Sequence, residues 1–150
     1  MNLSKECKRA FRALSQKYNL KIIDGEKKHA YSTVYLTNKT VGLDITFENR
    51  DHAVFVELYR LINGEFPVYK SVGEYDRNDD GYDIFDLIDL RHPGLRFHIF
   101  IEKKGDSVGK ILDNYAIAID KCAGDILKGD FSVFPKLKEI VEKRRRELKA

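Results

Sequence analysis

A regular alternation of apolar and polar residues over 41–47 constrains the fold of this chain more than any other feature. Successive side chains of a strand point to opposite faces of the sheet, so this pattern predicts a half-buried antiparallel strand. The apolar face carries Val41, Leu43, Ile45 and Phe47, and the other face carries Gly42, Asp44 and Thr46. The pattern therefore predicts a sheet with one face in a core and the other face open.

The flanking residues predict further strands of an antiparallel meander. The aromatic and β-branched run 31–37 predicts a strand before residue 41, and the apolar run 53–62 predicts one after it. Asn63-Gly64 favours a tight hairpin because both residues tolerate a positive φ, so residues 65–70 are expected to return as a fourth strand. Residues 95–101 alternate as well and predict a fifth strand.

Apolar residues at helical spacing predict helices at both ends of this meander. An amphipathic stripe runs over 3–18, and a short helix is predicted over 83–90. Asp106 or Ser107 caps a longer helix that ends before Gly129, a residue suited to a left-handed conformation. A last helix follows it.

Length and composition fit one globular domain over 1–150. The 150 residues are 43% hydrophobic and 34% charged, which is typical of a chain large enough for a core. Strands grouped together with helices at both ends predict an α+β fold. We expect a four- or five-stranded antiparallel meander sheet with the N-terminal helix and two C-terminal helices packed on one face. The open face would carry Glu57 and Tyr59 beside Asp44.

Three observations predict a cytoplasmic location. Cys7 and Cys122 fall on the apolar faces of predicted helices, which indicates buried, reduced thiols. The first residues, MNLSKECKRAFRAL, are charged where a signal peptide needs an apolar stretch. No apolar run approaches the roughly 18 residues that a membrane span requires.

Acidic residues concentrate in residues 74–89, EYDRNDDGYDIFDLID. This segment has a net charge of −6 in a chain of +3, so the remainder carries +9. Carboxylates among aromatic rings are typical of a surface that binds a basic protein, because the charges steer the encounter and the rings supply contact area. The residues predicted to contact such a partner are Tyr75, Asp76, Asp79, Asp80, Tyr82, Asp83, Phe85 and Asp86. The alternative is an acidic turn that only caps the next helix.

The same segment matches half of a calcium-binding loop. Asp76, Asn78, Asp80 and Gly81 stand at the first, third, fifth and sixth loop positions. The twelfth position, normally a bidentate glutamate, is Leu87, and no helix is predicted before the loop. The missing ligands argue against calcium, so we expect no metal and no cofactor, while the Asp76–Gly81 loop keeps calcium binding open as an alternative.

A metal-dependent nuclease or a nucleic-acid-binding protein is the alternative function. Asp86 or Asp89, followed by the apolar run before Glu102-Lys103-Lys104, has the order of residues in some nuclease cores. Basic residues also line the first helix and close the last one at 143–146, where phosphate contacts are common. The charged residue inside the Glu-x-Lys motif argues against the nuclease, and the repulsion between the acidic segment and DNA argues against nucleic acid.

The C-terminal segment CAGDILKGDFSVFPKLKEIVEKRRREL, residues 122–148, resembles the ending of a group of small bacterial proteins, and residues 41–67 resemble them more loosely. These proteins are similar to the immunity proteins that accompany bacterial toxins, which are small, cytoplasmic, non-enzymatic and often α+β. The resemblance implies a bacterial binding protein without catalysis that inhibits a toxin. It carries no functional residue over to this chain, and the net charge of +3 departs from the acidic inhibitors of basic nuclease toxins.

Overall fold

A five-stranded antiparallel sheet forms the scaffold of the protein in a computed structural model, which describes residues 1–67, 80–100 and 107–149. Its strands are β1 (Lys21–Lys27), β2 (Tyr31–Thr37), β3 (Val41–Glu48), β4 (Ala53–Arg60) and β5 (Gly81–Asp83). They lie side by side in chain order. The helices are α1 (Leu3–Ala10), α2 (Arg12–Tyr18), α3 (Ile84–Arg91), α4 (Leu95–Ile99), α5 (Val108–Cys122), α6 (Gly124–Leu127) and α7 (Phe134–Lys149). The predicted α+β class with an antiparallel sheet is confirmed.

The helices pack on one face of the sheet. Apolar side chains of β2, β3 and β4 form a core together with residues of α1, α2, α3, α5, α6 and α7. On β3 the predicted alternation is confirmed: Val41, Leu43 and Ile45 are fully buried, whereas Asp44 and Thr46 are half-buried on the other face. That other face is the open face of the sheet.

The N-terminal segment forms two helices where the sequence predicts one over residues 3–18. Asn2 caps α1, because its side-chain oxygen accepts a hydrogen bond from the Lys5 amide at 3.1 Å. Phe11 then leaves the helical conformation with φ −101° and ψ 11°, and it is fully buried. Leu3, Cys7 and Leu14 remain on the core side, so the break preserves the predicted apolar stripe.

The sheet edges differ from the prediction. Asn63 and Gly64 adopt positive φ angles of 54° and 78°, which confirms the tight turn. In the described part of the run 65–70, however, only Glu65 pairs, in an isolated bridge with Ile62. The outer strands are β1 and β5 instead, neither of which was predicted. The segment KIIDGEK of β1 is exposed along most of its length and has no apolar alternation to detect.

The predicted strand over 95–101 is wrong, because residues 95–99 form helix α4. Phe97 is 71% exposed while Leu95 and Ile99 are half-buried, so these residues do not share one face. A short apolar run fits a strand or a helix equally well, and tertiary contacts decide between them. Here the side chain of Asn114 on α5 donates a hydrogen bond to the Ile99 carbonyl at 2.9 Å.

The C-terminal helices begin and end where local capping allows. Ser107 caps α5 by accepting a hydrogen bond from the Lys110 amide at 3.2 Å, as predicted. Gly129 has a φ of 98°, which confirms the left-handed position after α6. Cys7 and Cys122 are buried free thiols, and burial, helped by the charge of Glu6, raises the pKa of Cys7 to about 12.

Candidate functional site

The acidic–aromatic segment lies at β5 and the start of α3. The structure describes five of its eight predicted contact residues, namely Asp80, Tyr82, Asp83, Phe85 and Asp86. Tyr75, Asp76 and Asp79 lie outside the described residues. These five residues differ in their exposure and in the contacts that they make within the protein.

Two of the carboxylates form ion pairs within the molecule. Arg60 of β4 donates from its Nε to Asp80 at 2.8 Å, and its backbone N–H donates to the Asp80 carbonyl at 2.7 Å. Asp86 pairs with Arg144 of α7, and the Asp86 side chain is only 11% exposed. The charges of Asp80 and Asp86 are therefore balanced by Arg60 and Arg144. These ion pairs link the start of β5 to β4 and link α3 to α7.

The aromatic anchor expected at Tyr82 is buried. Tyr82 is 6% exposed, lies opposite Leu58 in the sheet and packs edge-on against Phe134 with 5.0 Å between ring centroids. Alternation along β5 turns this side chain into the core and turns Asp83 to the open face. A partner therefore cannot contact Tyr82 without opening the core.

Asp83 and Phe85 begin α3. A side-chain oxygen of Asp83 accepts a hydrogen bond from the Phe85 amide at 2.8 Å, so the helix-capping alternative holds for this residue. Phe85 is half-buried and contacts Phe100 and Tyr115, with centroid distances of 5.0 and 5.5 Å. Asp83 nevertheless remains exposed, so it combines a structural role with an accessible charge.

Three carboxylates lie side by side on the open face of the sheet. In the strand register Asp44 of β3 is opposite Glu57 of β4, and Glu57 is opposite Asp83 of β5. Residues directly opposite each other in neighbouring strands are close enough for their side chains to interact. We call Asp44, Glu57 and Asp83 the acidic row.

No lysine or arginine pairs with the acidic row within the described residues. Asp44 accepts a hydrogen bond from Thr46 at 2.8 Å, Glu57 accepts one from the Tyr59 hydroxyl, and Asp83 accepts one from the Phe85 amide. Burial raises the pKa of Asp44, and the Thr46 hydrogen bond opposes that rise. Desolvation also raises the pKa of Asp83; the charges of Asp86 and Glu57 add to this rise, whereas the Phe85 amide and the charge of Arg96 oppose it.

Aromatic rings border the acidic row on both sides. Phe66 folds over Gly42, where an added Cβ would lie 2.5 Å from the ring, and it contacts Tyr35 and Tyr59 at centroid distances of 5.0 and 5.4 Å. On the opposite side of the row, Phe55 is 46% exposed. Phe66, which follows the turn at Asn63-Gly64, thus covers the part of the open face around Gly42 and Tyr59. In the acidic row, Asp44 and Glu57 are half-buried and Asp83 is exposed.

A cavity of about 360 Å³ opens beside Asp83, between the start of β4 and helices α4 and α5. Its wall includes Phe55, Phe85, Arg96, Phe100 and Tyr115. Cavities of this size, apolar with a few charged groups, are typical of binding sites. The sequence offered no signal for it, because Arg96 and Phe100 lie in the run that was predicted to be a strand.

The metal-based alternatives gain no support from the described residues. In the ranges 1–67, 80–100 and 107–149 no three His, Cys, Asp or Glu side chains are grouped so that they could hold a metal ion. Asp76 and Asn78 of the calcium-like loop, and Glu102 of the nuclease-like motif, lie outside these ranges. The strand expected to lead to Glu102 is helix α4, which removes the structural basis of the nuclease prediction.

Comparisons with known proteins found no match that bears on the function of this chain. No family model, no curated protein and no solved structure matches it. The resemblance to immunity proteins therefore stays a prediction. Among the described helices, none combines the length and the apolar character that crossing a membrane would require.

Proposed function

We propose that this protein binds another protein with a basic surface, in the manner of an immunity-type inhibitor, and that the acidic row is the centre of the contact. The observation behind this proposal is the register of Asp44, Glu57 and Asp83 on three neighbouring strands, with no cation paired to them in the described chain. The chain contains 27 Lys and Arg residues, so counter-charges are not scarce. Because none of those in the described residues forms a salt bridge with the row, its half-buried and exposed carboxylates offer negative charge to a partner.

The energetic cost of placing three like charges side by side supports a binding role for the acidic row. Like charges directly opposite each other destabilise a sheet, and partial burial adds to the cost at Asp44. A basic partner would supply the missing counter-charges and offset that cost on binding. The free protein is therefore less stable than it would be without these neighbouring charges, a common compromise between stability and function.

In the proposed contact, Phe55 takes the aromatic role that was predicted for Tyr82. Tyr82 is buried, whereas Phe55 lies beside the row and offers exposed aromatic area. Aromatic residues next to complementary charges are typical anchors of protein interfaces. Asp83 belongs both to the predicted segment and to the acidic row, and Tyr75, Asp76 and Asp79 keep their predicted role as further contacts.

The test measures binding to the product of the reading frame next to this gene, by calorimetry at low and at high salt. The double variant Asp44→Asn/Glu57→Gln should weaken binding at least about 10-fold and reduce its salt dependence. Glu147→Gln, which removes one charge at the exposed end of α7, is the control and should leave affinity unchanged. Equal effects of the two changes, or no binding by the unmodified protein, would overturn the proposal.

A further inference from the structure

We infer that the cavity beside Asp83 receives an arginine side chain of the partner. This inference rests on the proposed function, since it assumes a basic protein docked over the acidic row. It adds a specific anchor: one residue of the partner that enters the cavity with its guanidinium against Asp83 and its plane against an aromatic ring.

The mouth of the cavity carries negative charge. Asp83 lines the cavity, and its one hydrogen-bond donor in the described chain is the Phe85 amide. Glu57, its neighbour in the acidic row, has the Tyr59 hydroxyl as its donor. An incoming cation would therefore meet Asp83 in the cavity wall and Glu57 beside it on the sheet. Neither carboxylate forms a salt bridge within the described residues, although Arg96, which lines the same cavity, is near enough for its charge to act on Asp83.

Aromatic rings form one wall of the cavity. Phe85, Phe100 and Tyr115 form a cluster with centroid distances of 4.7 to 5.5 Å, and Phe55 closes one side of the cavity with an exposed ring. A planar guanidinium stacks on such rings and is weakly hydrated, whereas the compact lysine ammonium holds its water more strongly. Carboxylate and ring together thus favour arginine over lysine.

The protein already places a guanidinium of its own on this wall. The Arg96 guanidinium carbon lies 4.1 Å from the centroid of the Phe85 ring. Arg96 forms an exposed contact of 3.4 Å with Asp89, and its charge also acts on Asp83. Arg96 therefore demonstrates the stacking geometry, and its positive charge competes with an arginine that enters from outside.

Because Arg96 would compete with a cation but attract an anion, the effect of Arg96→Gln on binding distinguishes the two kinds of ligand. If the cavity takes a cation, Arg96→Gln removes a competitor and strengthens binding. If it takes an anion, Arg96 is the receptor and the same change weakens binding. An apolar side chain would respond to neither the Arg96 charge nor the Asp83 charge.

The experiment is an NMR titration of the full chain with the blocked peptide acetyl-Gly-Arg-Gly-amide. Its lysine counterpart and its citrulline counterpart, which keeps the shape of arginine without the charge, are the comparison probes. We expect the arginine peptide to shift the amide signals of the cavity residues, the lysine peptide to bind several-fold more weakly and the citrulline peptide not to bind.

Three variants complete the design. Asp83→Asn keeps a good helix cap but removes the charge, so it should abolish most of the binding without unfolding α3. Phe55→Ala should weaken binding about 5-fold. Arg96→Gln should strengthen it. Weakened binding by Arg96→Gln, unchanged binding by Asp83→Asn, or shifts that avoid the cavity would each overturn the inference.

Failure of this inference and failure of the proposed function are distinguishable. If Asp44→Asn/Glu57→Gln weakens binding of the whole partner while Phe55→Ala and Arg96→Gln do not affect it, the acidic row is the contact and the arginine anchor is refuted. If the double variant has no effect on the partner, the proposed function fails, and the peptide titration still reports on the cavity by itself.

Discussion

The hydroxyl of Tyr115 donates a hydrogen bond of 2.9 Å to the backbone carbonyl of Val54. Tyr115 lies on α5 with 2% exposure, and Val54 lies on β4. Within the described residues β5 pairs with β4 only from Glu57 to Tyr59, so the Val54 carbonyl has no strand partner on that side. A buried carbonyl without a donor is costly, and α5 supplies the donor that β5 is too short to provide.

We expect Tyr115→Phe to lower the free energy of unfolding by about 1–2 kcal/mol, because it leaves this buried carbonyl unsatisfied while keeping the ring. Urea denaturation measures the change. Tyr31→Phe is the matched control, since the Tyr31 hydroxyl donates to Glu26 at 2.7 Å on the surface. Similar losses in both variants would show that the buried hydrogen bond has no special weight.

Asn38 joins the β2–β3 turn to the helical layer. Its side-chain nitrogen donates to the carbonyls of Tyr18 and Leu127 at 3.2 and 3.0 Å, and its oxygen accepts from the Val41 amide at 2.9 Å. Asn38→Asp keeps the acceptor but loses both donors, so we expect a loss of about 1–3 kcal/mol in unfolding free energy. Asn49→Asp, which removes a donor in an exposed turn, should cost much less in the same measurement.

The acidic row should lower the stability of the free protein. Removing one charge by Asp44→Asn should raise the free energy of unfolding by about 0.2–1 kcal/mol, because Glu57 then faces a neutral side chain. Glu48→Gln is the control on the same strand and face, since Glu48 lies opposite Tyr31 and Ala53. A gain from Glu48→Gln as large as that from Asp44→Asn would contradict the role of the row.

The raised pKa of Asp44 also fixes a pH dependence. Between the ordinary carboxyl pKa and the raised one, the folded state binds more protons than the unfolded state, so stability falls as pH rises through that window. The stabilisation by Asn at position 44 should therefore be small near pH 4 and larger near pH 7. Parallel urea titrations of both proteins measure it, and a difference that is constant with pH would exclude the raised pKa.

The site was predicted in part. Asp44 and Glu57 were expected on the open face, because alternation over 41–47 and the next strand fixes which side chains point away from the core. Asp83 was expected as a helix cap or a contact, and its place in the row followed only from β5, a strand of three residues with no pattern long enough to detect. Alternation along this three-residue strand also places the Tyr82 side chain in the core.

Strong local patterns determined much of the fold. The sequence determined the α+β class, the strands predicted over 31–37 and 41–47, the turn at Asn63-Gly64 and a helix cap at Asp106 or Ser107, since alternation, positive φ and capping act within a few residues. Contacts between distant parts of the chain were needed for the helix at 95–99, for the ion-pair partners of Asp80 and Asp86, and for the acidic row with its cavity. Those features depend on groups far apart in the chain, and a short segment carries no record of what packs against it.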